Sequence, residues 1–410
     1  MLLISTAMAK ADYPENSPVA LNGRLKVEDG KMVNACGHPT QLRGMSTHGL
    51  AWNPNAYTEA SIKMLVEEWN ISLFRIAVYT HEWGGYSTDQ WKTKEQYHEL
   101  IDNLVDICGK YGIYCLIDWH VLNSVSHDPN NTIDDATIFF EHMSKTHKDK
   151  AHVMYEICNE PNKNVTWAMI KNYANDIIPV IRENDKDAII VCGTPTWSQD
   201  VDAAAESPLD FDNVMYTLHF YSGTHTSYLR QKAEKAISKG LAIFVTEFGV
   251  SKADGSGGVF LDEADTWMEW MDKHDISWAN WSFCDKNETS AALVANSISK
   301  GTWTPSKSGE YIKSKLAEPY KEKFVPCTDD VKNINNNVEI TLYPNPTDGS
   351  FSINAAFDIE KVVILDMTGK EIKRFDSTAN NYVVSDIANG IYQVVVYSHD
   401  FTTIERLIKK

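Results

Sequence analysis

Val153-Met154-Tyr155-Glu156-Ile157-Cys158-Asn159-Glu160-Pro161 runs from a short apolar stretch into an Asn-Glu pair and stops at a proline. The apolar part reads as a buried strand, and Pro161 ends it because proline brings no N–H to a sheet ladder. Such a strand holds the Glu160 carboxyl at a fixed place on its C-terminal tip. A lone glutamate at a strand end is most often half of a surface ion pair. A second stretch weakens that reading. Leu241-Ala242-Ile243-Phe244-Val245-Thr246-Glu247-Phe248-Gly249 has the same form, an apolar run, then a glutamate, then a glycine able to end the strand.

On either side of these two stretches, strand-like runs recur, giving 42–48, 71–78, 113–119, 152–159, 188–193, 214–221, 241–247 and 277–283 in all. Helical periodicity fills the intervals at 59–69, 95–111, 134–147, 165–183, 226–239 and 261–274. Alternation of this kind predicts a closed parallel (β/α)₈ TIM barrel. An open doubly wound sheet is the alternative, but neither GxGxxG nor GxxxxGK[ST] is present to mark its phosphate loop. Before the first barrel strand, Arg24–Val27 and Lys31–Asn34 flank Glu28-Asp29-Gly30 and read as a hairpin fit to plug the barrel bottom.

At 410 residues the chain has room for one barrel and a smaller domain. It carries 38 basic against 56 acidic residues, a formal charge of −18, which argues against nucleic acid and anionic membrane surfaces as partners. Twelve Trp are more than a core needs and suggest a surface that stacks on flat ligands. No apolar run is long enough for a membrane span. Met1–Ala9 is apolar, like the end of a secretory signal, and Asp12–Pro18 reads as a flexible lead. Seven scattered Cys, at 36, 108, 115, 158, 192, 284 and 327, suggest neither a disulfide framework nor a metal site, and most read as buried thiols.

After Tyr320 the character changes. Residues 326–337 are polar and Asn-rich, a linker, and from Val338 short β-rich runs follow at 338–342, 351–354, 361–365, 382–384, 391–397 and 402–408. Turn signals at Asn345-Pro346, Thr368-Gly369-Lys370 and Asn389-Gly390 separate them, which predicts a small all-β sandwich. The expected division is a lead over 1–20, the barrel over 21–323, a linker over 324–337 and the sandwich over 338–410.

In a barrel the C-terminal strand tips face one mouth. Here those tips carry His48, Arg75 and Tyr79, Trp119-His120, Asn159-Glu160, Thr194 with Trp197, His219 with Tyr221, Glu247 and Trp281. Each alone has a packing explanation; convergence of nearly every tip on polar or aromatic groups does not. Cleaving a glycosidic bond needs a proton for the leaving oxygen and negative charge beside the developing oxocarbenium carbon. Glu160 is the candidate acid, and burial or a like charge must hold its pKa up. Glu247 is expected ionised, oriented by Arg75. Asn159 suits a sugar hydroxyl, His120, His219 and Tyr221 suit positioning, and Trp281 offers a stacking face. A metal site at His48, His120 and His219 is the competing use, but no HExxH is present and Asp118 with His120 is too few ligands.

Several pieces together resemble glycoside hydrolase family 5, close to its bacterial endo-β-1,4-glucanases. They are Leu42–Gly49, Phe74–Tyr79, Ile117–His120, Tyr155–Pro161, Gly193–Ser198, Leu218–Tyr221, Val245–Gly249 and Trp278–Ser282, in family order. The resemblance implies Glu160 as acid/base, Glu247 as nucleophile, and Arg75, His120, Asn159, His219 and Tyr221 in support. It implies glucose-binding roles for His48, Trp52, Trp197, Trp281, Lys286 and Glu288, with Tyr79 on the same wall. The tail resembles the sorting domain of the type IX secretion system, through Leu342–Pro346, Gly349–Phe351, Asp366–Lys370 and Ala388–Tyr392. A carbohydrate-binding sandwich is disfavoured, because the tail holds no Trp.

The expectation is a secreted or cell-surface retaining endo-β-1,4-glucanase acting on β-1,4-glucan. It is expected to need no cofactor or metal, to engage the type IX machinery through its tail, and to be monomeric. A β-mannanase or mixed-linkage glucanase is the nearest alternative. A non-catalytic glycan-binding barrel is another, but a pure binder has no use for two opposed carboxyls.

Overall fold

Lys26–Glu28 (β1) and Lys31–Val33 (β2) pair antiparallel, with Lys26 opposite Val33. The turn between them places Asp29 and Gly30 at φ 49° and 73°, left-handed backbone that glycine adopts without strain. The structure is a computed structural model that describes residues 13–321, 324–325, 340–355, 357–366, 371–375, 379, 381–398 and 402–410. The apolar Met1–Ala9 segment, the 326–337 linker and the 368–370 turn lie outside the described residues. The chain divides into two compact units, 1–326 and 327–410.

In the first unit eight parallel strands close into a barrel. They are Arg43–Ser46 (β3), Leu73–Tyr79 (β4), Tyr114–His120 (β5), Val153–Glu156 (β6), Ile190–Cys192 (β7), Val214–Tyr221 (β8), Ile243–Gly249 (β9) and Trp278–Asn280 (β10). Strand β10 pairs with both β9 and β3, which closes the ring. Helices Glu59–Trp69, Lys94–Lys110, Ile133–His147, Trp167–Asn184, Ser227–Ile237 and Leu261–Lys273 fall within a few residues of the predicted spans. Their starts are written in the sequence. Thr58 with Ser61, and Thr93 with Gln96, form reciprocal capping boxes, and Thr166 caps Met169 N–H.

Side chains pointing into the barrel change character with height. The lowest inward residues, Leu73, Leu116, Met154, Val191, Met215 and Phe244, belong to one buried apolar cluster. Leu25 and Met32, beside and on the hairpin, join it from below, so the hairpin plugs the bottom as expected. Two residues up, five of these six strands carry Arg75, Asp118, Glu156, Thr217 and Thr246 on the same face, all fully buried. One further step reaches His120 and His219. A slip in the β8–β9 register, between Thr217 and His219, brings Glu247 opposite His219. Apolar packing below thus supports a charged layer above.

Three expectations need correction. The lead is not loose as far as residue 20: Ser17 caps a short helix over Pro18–Asn22, Val19 is 1% exposed, and the Tyr13 hydroxyl lies 2.9 Å from His152 Nδ1. Nor does the barrel unit stop at 323, because Phe324 is buried and Val325 C=O accepts from Asn34 Nδ2 at 2.8 Å. Finally, Cys36 is disulfide-bonded. Cys108, Cys115, Cys158, Cys192 and Cys284 are free and buried, as read. Two further helices, Val201–Glu206 and Lys307–Ala317, went unforeseen. The second packs so close that a Cβ on Gly309 would sit 1.9 Å from Ala292 C=O.

The second unit is a two-sheet antiparallel sandwich. Its strands are Thr341–Tyr343 (β11), Ser350–Asn354 (β12), Lys361–Leu365 (β13), Glu371–Phe375 (β14), Tyr382–Val383 (β15), Gly390–Tyr397 (β16) and Thr402–Lys409 (β17). Strands β11, β12 and β15 form one sheet and β14, β13, β16 and β17 the other. Leu342, Phe351, Val362, Ile364, Tyr382, Val394, Val396 and Leu407 fill the space between. Strand β14 was not foreseen, because its charged residues disguise the alternation.

Candidate active site

Arg75 occupies the centre of the barrel with no exposed surface. Its Nε donates to Glu156 Oε2 at 2.7 Å, Nη1 to Glu247 Oε2 at 3.1 Å, and Nη2 to Asn159 Oδ1 at 2.7 Å, while Nη2 also forms an ion pair with Asp118 Oδ2 at 2.9 Å. Burial opposes its charge, but the carboxylates of Asp118, Glu156 and Glu247 outweigh burial and hold it firmly protonated. Three carboxyls surround this one guanidinium. Burial pushes Asp118 up to about 7 against the pull of Arg75, and pushes Glu156 up as well.

His120 and Asn159 are bound into this hub. His120 Nδ1 stands 2.6 Å from Asp118 Oδ2, and its Nε2 stands 3.3 Å from Asn159 Nδ2. Burial, then Arg75, push His120 down to about 3, so it is neutral. With Asp118 accepting, Nδ1 carries the ring proton and Nε2 accepts from the Asn159 amide, whose oxygen faces Arg75.

Glu160 sits just beyond β6, where the strand leaves the sheet. Ser198 Oγ donates to Asn159 C=O at 2.6 Å, and a Cβ on Gly193 would lie 2.4 Å from Cys158 C=O, so β7 can approach this turn only with glycine there. The Glu160 side chain is 14% exposed, and Oε1 lies 2.9 Å from His219 Nδ1. Burial raises it to about 8, Asp118 and Glu156 assist, and Arg75 opposes. His219 is pushed down to about 4 by burial. Opposite, Glu247 accepts from Arg75 and, through Oε1, from the Tyr221 hydroxyl at 2.7 Å. Donor atoms of Glu160, His219 and Glu247 lie within 4.8 Å of one another, the one group among the described residues close enough to surround a cation. The same three atoms suit proton chemistry, and no metal is assigned to them.

Aromatic rings wall the mouth. His120 stacks on Tyr79 at 4.3 Å and on Trp281 at 5.2 Å between centroids, and His48 lies 5.1 Å from both Trp281 and Trp52. Burial pushes His48 down to about 4. Trp52 and Trp197 are 41% and 45% exposed, while Trp281 is 8% exposed. Trp197 is held out by consecutive left-handed residues, Thr196, Trp197 and Ser198, with φ between 55° and 59°. It lines a cavity of about 460 Å³ with Glu160, His219, Tyr221 and His225. Lys286 and Glu288 are not in that cavity. They pair with each other at 2.6 Å and line an adjoining cavity that shares Asp254 with the first.

Sequence reasoning missed three members of the buried layer. Glu156, Thr246 and Thr217 were passed over as strand interior, although a charged residue inside an apolar run was the available signal. Thr246 and Thr217 hydroxyls donate to Glu156 Oε1 at 2.7 and 3.3 Å.

Two opposed carboxyls at the C-terminal mouth of a closed (β/α)₈ barrel, beside stacking rings, define a glycoside hydrolase. Residues 33–287 match the family model described as Cellulase (glycosyl hydrolase family 5), and the chain belongs to that family. Residues 341–410 match the Secretion system C-terminal sorting domain, so the protein is secreted or held at the cell surface. An endoglucanase of Clostridium saccharobutylicum is 43% identical over 321 residues, 77% of this chain and 70% of that protein. Endoglucanase A of Evansella cellulosilytica is 48% identical over 69% of this chain, which spans only 57% of that relative's length. Among solved structures, Cellulase Cel5C_n is 62% identical with a TM-score of 0.76, covering 77% of this chain and 98% of that one. The catalytic domain of Thermobifida fusca endoglucanase Cel5A in complex with cellotetraose is 32% identical with a TM-score of 0.69, covering 73% and 99%. Among the described residues no helix is long and apolar enough to cross a membrane.

Proposed function

We propose that this protein is a secreted endo-β-1,4-glucanase that cleaves internal bonds of cellulose-type glucans with retention, and that it works as a monomer. The observation that carries the mechanism is the approach of Glu160 and Glu247, whose nearest carboxylate oxygens lie within 4.8 Å. Retaining enzymes hold their carboxyls about 5–5.5 Å apart, whereas inverting ones leave roughly 6.5–9.5 Å for a water. Glu247, oriented by Arg75 and Tyr221, attacks the anomeric carbon. Glu160, protonated at neutral pH, gives its proton to the leaving oxygen as the glycosidic bond breaks. Water then enters, Glu160 takes a proton from it, and hydroxide character at the anomeric carbon displaces Glu247.

Asn159, fixed between Arg75 and His120, is positioned to donate to a sugar hydroxyl near the reacting carbon. Trp281 and Trp197 stack sugar rings on either side of the scissile bond, with His48, Tyr79 and Trp52 extending one wall and Lys286 with Glu288 reaching it from the rim. The tail delivers the enzyme to type IX secretion machinery. The test is proton NMR of the first product from a β-1,4-glucan oligosaccharide, alongside reducing-end release from carboxymethylcellulose, lichenan and mannan. The β-anomer first, with cellulose derivatives preferred, is expected. The α-anomer first would overturn retention, and a preference for mannan would move the substrate to the alternative class.

A further inference from the structure

A chain of hydrogen bonds runs from the middle of the barrel to Glu160. Glu156 is paired with Arg75 through Oε2, which leaves Oε1 to accept from Thr246 Oγ1 at 2.7 Å. A threonine hydroxyl has a single proton. With that proton directed at Glu156, the Thr246 oxygen must accept at its 2.9 Å contact with His219 Nε2. Nε2 therefore carries the ring proton. A neutral imidazole then has none on Nδ1, the nitrogen 2.9 Å from Glu160 Oε1. That contact is a hydrogen bond only when Glu160 supplies the proton.

We infer that Thr246 and Glu156 are positioning residues that fix His219 as its Nε2–H tautomer, so that the Nδ1 lone pair keeps Glu160 protonated between turnovers. The inference rests on the reading of Glu160 as acid/base. A hydrogen bond made to the neutral acid disfavours its ionisation, and an ionised Glu160 would face a lone pair instead. The same arrangement serves both halves of the reaction, since a carboxylate with high proton affinity is also the better base for water. Other groups around the pair leave the assignment intact. Asp118 and Glu156 favour the protonated acid, and Arg75 opposes them. His127 meets the Glu160 backbone carbonyl and not its carboxyl. His225 Nδ1 is engaged by Tyr221 N–H, and the Tyr221 hydroxyl is engaged by Glu247.

Two measurements test this on the full chain. The first is ¹⁵N NMR of histidine-labelled protein, with the His219 signals assigned by their loss in His219→Gln. A protonated Nε2 and an unprotonated Nδ1 are expected; the reverse tautomer overturns the proposal, whatever the activity. The second is the pH profile of kcat/KM in Thr246→Val, which keeps the shape of the side chain and removes the hydroxyl. Freed from Thr246, His219 can donate from Nδ1 to the Glu160 carboxylate. The basic limb should then move to lower pH by about half a unit to one unit, the size of one hydrogen bond, and Thr246→Ser should restore it. A folded Thr246→Val with the wild-type basic limb overturns the relay while leaving the glucanase reading in place. A wild-type protein that releases no reducing ends from any β-glucan overturns that reading instead.

Discussion

Arg75 Nη1 stands 3.1 Å from Glu247 Oε2, and the same guanidinium holds Glu156 and Asp118 within 2.9 Å. One cation therefore orients the proposed nucleophile and neutralises the layer beneath it. Arg75→Met should leave carboxyls buried without a counter-charge and destabilise the protein by about 3–5 kcal/mol, read from urea unfolding. Arg75→Lys should recover part of that stability, yet stay severely impaired in turnover, because an ammonium cannot donate in a fork to several partners. A Met variant that unfolds at the wild-type urea concentration would contradict the hub.

The pH dependence follows from Glu160. Its pKa is raised from the usual 4.5 to about 8, so the folded state holds a proton that the unfolded chain gives up in between. The stability contributed is fully present below the unfolded value and is lost as pH rises through the folded one. Glu160→Gln removes this titration, so the melting temperature of the variant should gain on wild type between pH 5 and pH 9. In the wild type, kcat/KM should fall on the basic side near pH 8, as the acid deprotonates. A gap in melting temperature that stays constant across that range would rule out the raised pKa.

Exposed and buried tryptophans should behave differently. Trp197 stands out at the rim, and stacking on a flat partner is worth about 1–3 kcal/mol by analogy with bases. Trp197→Ala should lower kcat/KM on cello-oligosaccharides by the corresponding roughly 5- to 150-fold, with the melting temperature unchanged. Trp281→Ala removes a ring packed on His48 and His120, so it should lower turnover and melting temperature together. Equal melting temperatures for Trp281→Ala and wild type would place that ring outside the packed wall.

The N-terminal segment makes a simple comparison possible. A fragment over 13–325 should match the full chain in specific activity, because the barrel closes on itself. A fragment over 21–323 loses Val19, the Tyr13–His152 contact and Phe324, and should unfold at lower urea by an amount near that of deleting one core side chain, about 2–5 kcal/mol. Identical unfolding of the two fragments would mean that residues 13–20 and 324–325 add nothing.

The barrel was legible because parallel strands buried on both faces read as unbroken apolar runs, and because Asn159-Glu160-Pro161 and Thr246-Glu247-Phe248-Gly249 mark where two of them end. Glu160 and Glu247 were legible for the same reason: the punctuation that ends a strand also places its last side chain. The inner layer was not. Nothing local says that Thr246 on β9 donates a hydrogen bond to Glu156, three strands away on β6; that follows from closure of the sheet and from the slipped β8–β9 register. The helix over Lys307–Ala317 and strand β14 were hidden by their own polar residues. The tethering of Tyr13–Leu21 depends on a partner surface formed by distant strands.

Cys108, Cys115, Cys158, Cys192 and Cys284 are sealed inside a protein destined for export, where oxidants act on any thiol they reach. Sealing is complete only once the barrel has closed. Before that, five nucleophiles lie open to one another and to the cysteines of other chains, on the seconds-to-hours scale of disulfide exchange. Folding is therefore a race against oxidation. A variant that slows closure without harming the finished barrel should surface as mispaired, aggregated protein outside the cell, read as disulfide-linked species on a non-reducing gel.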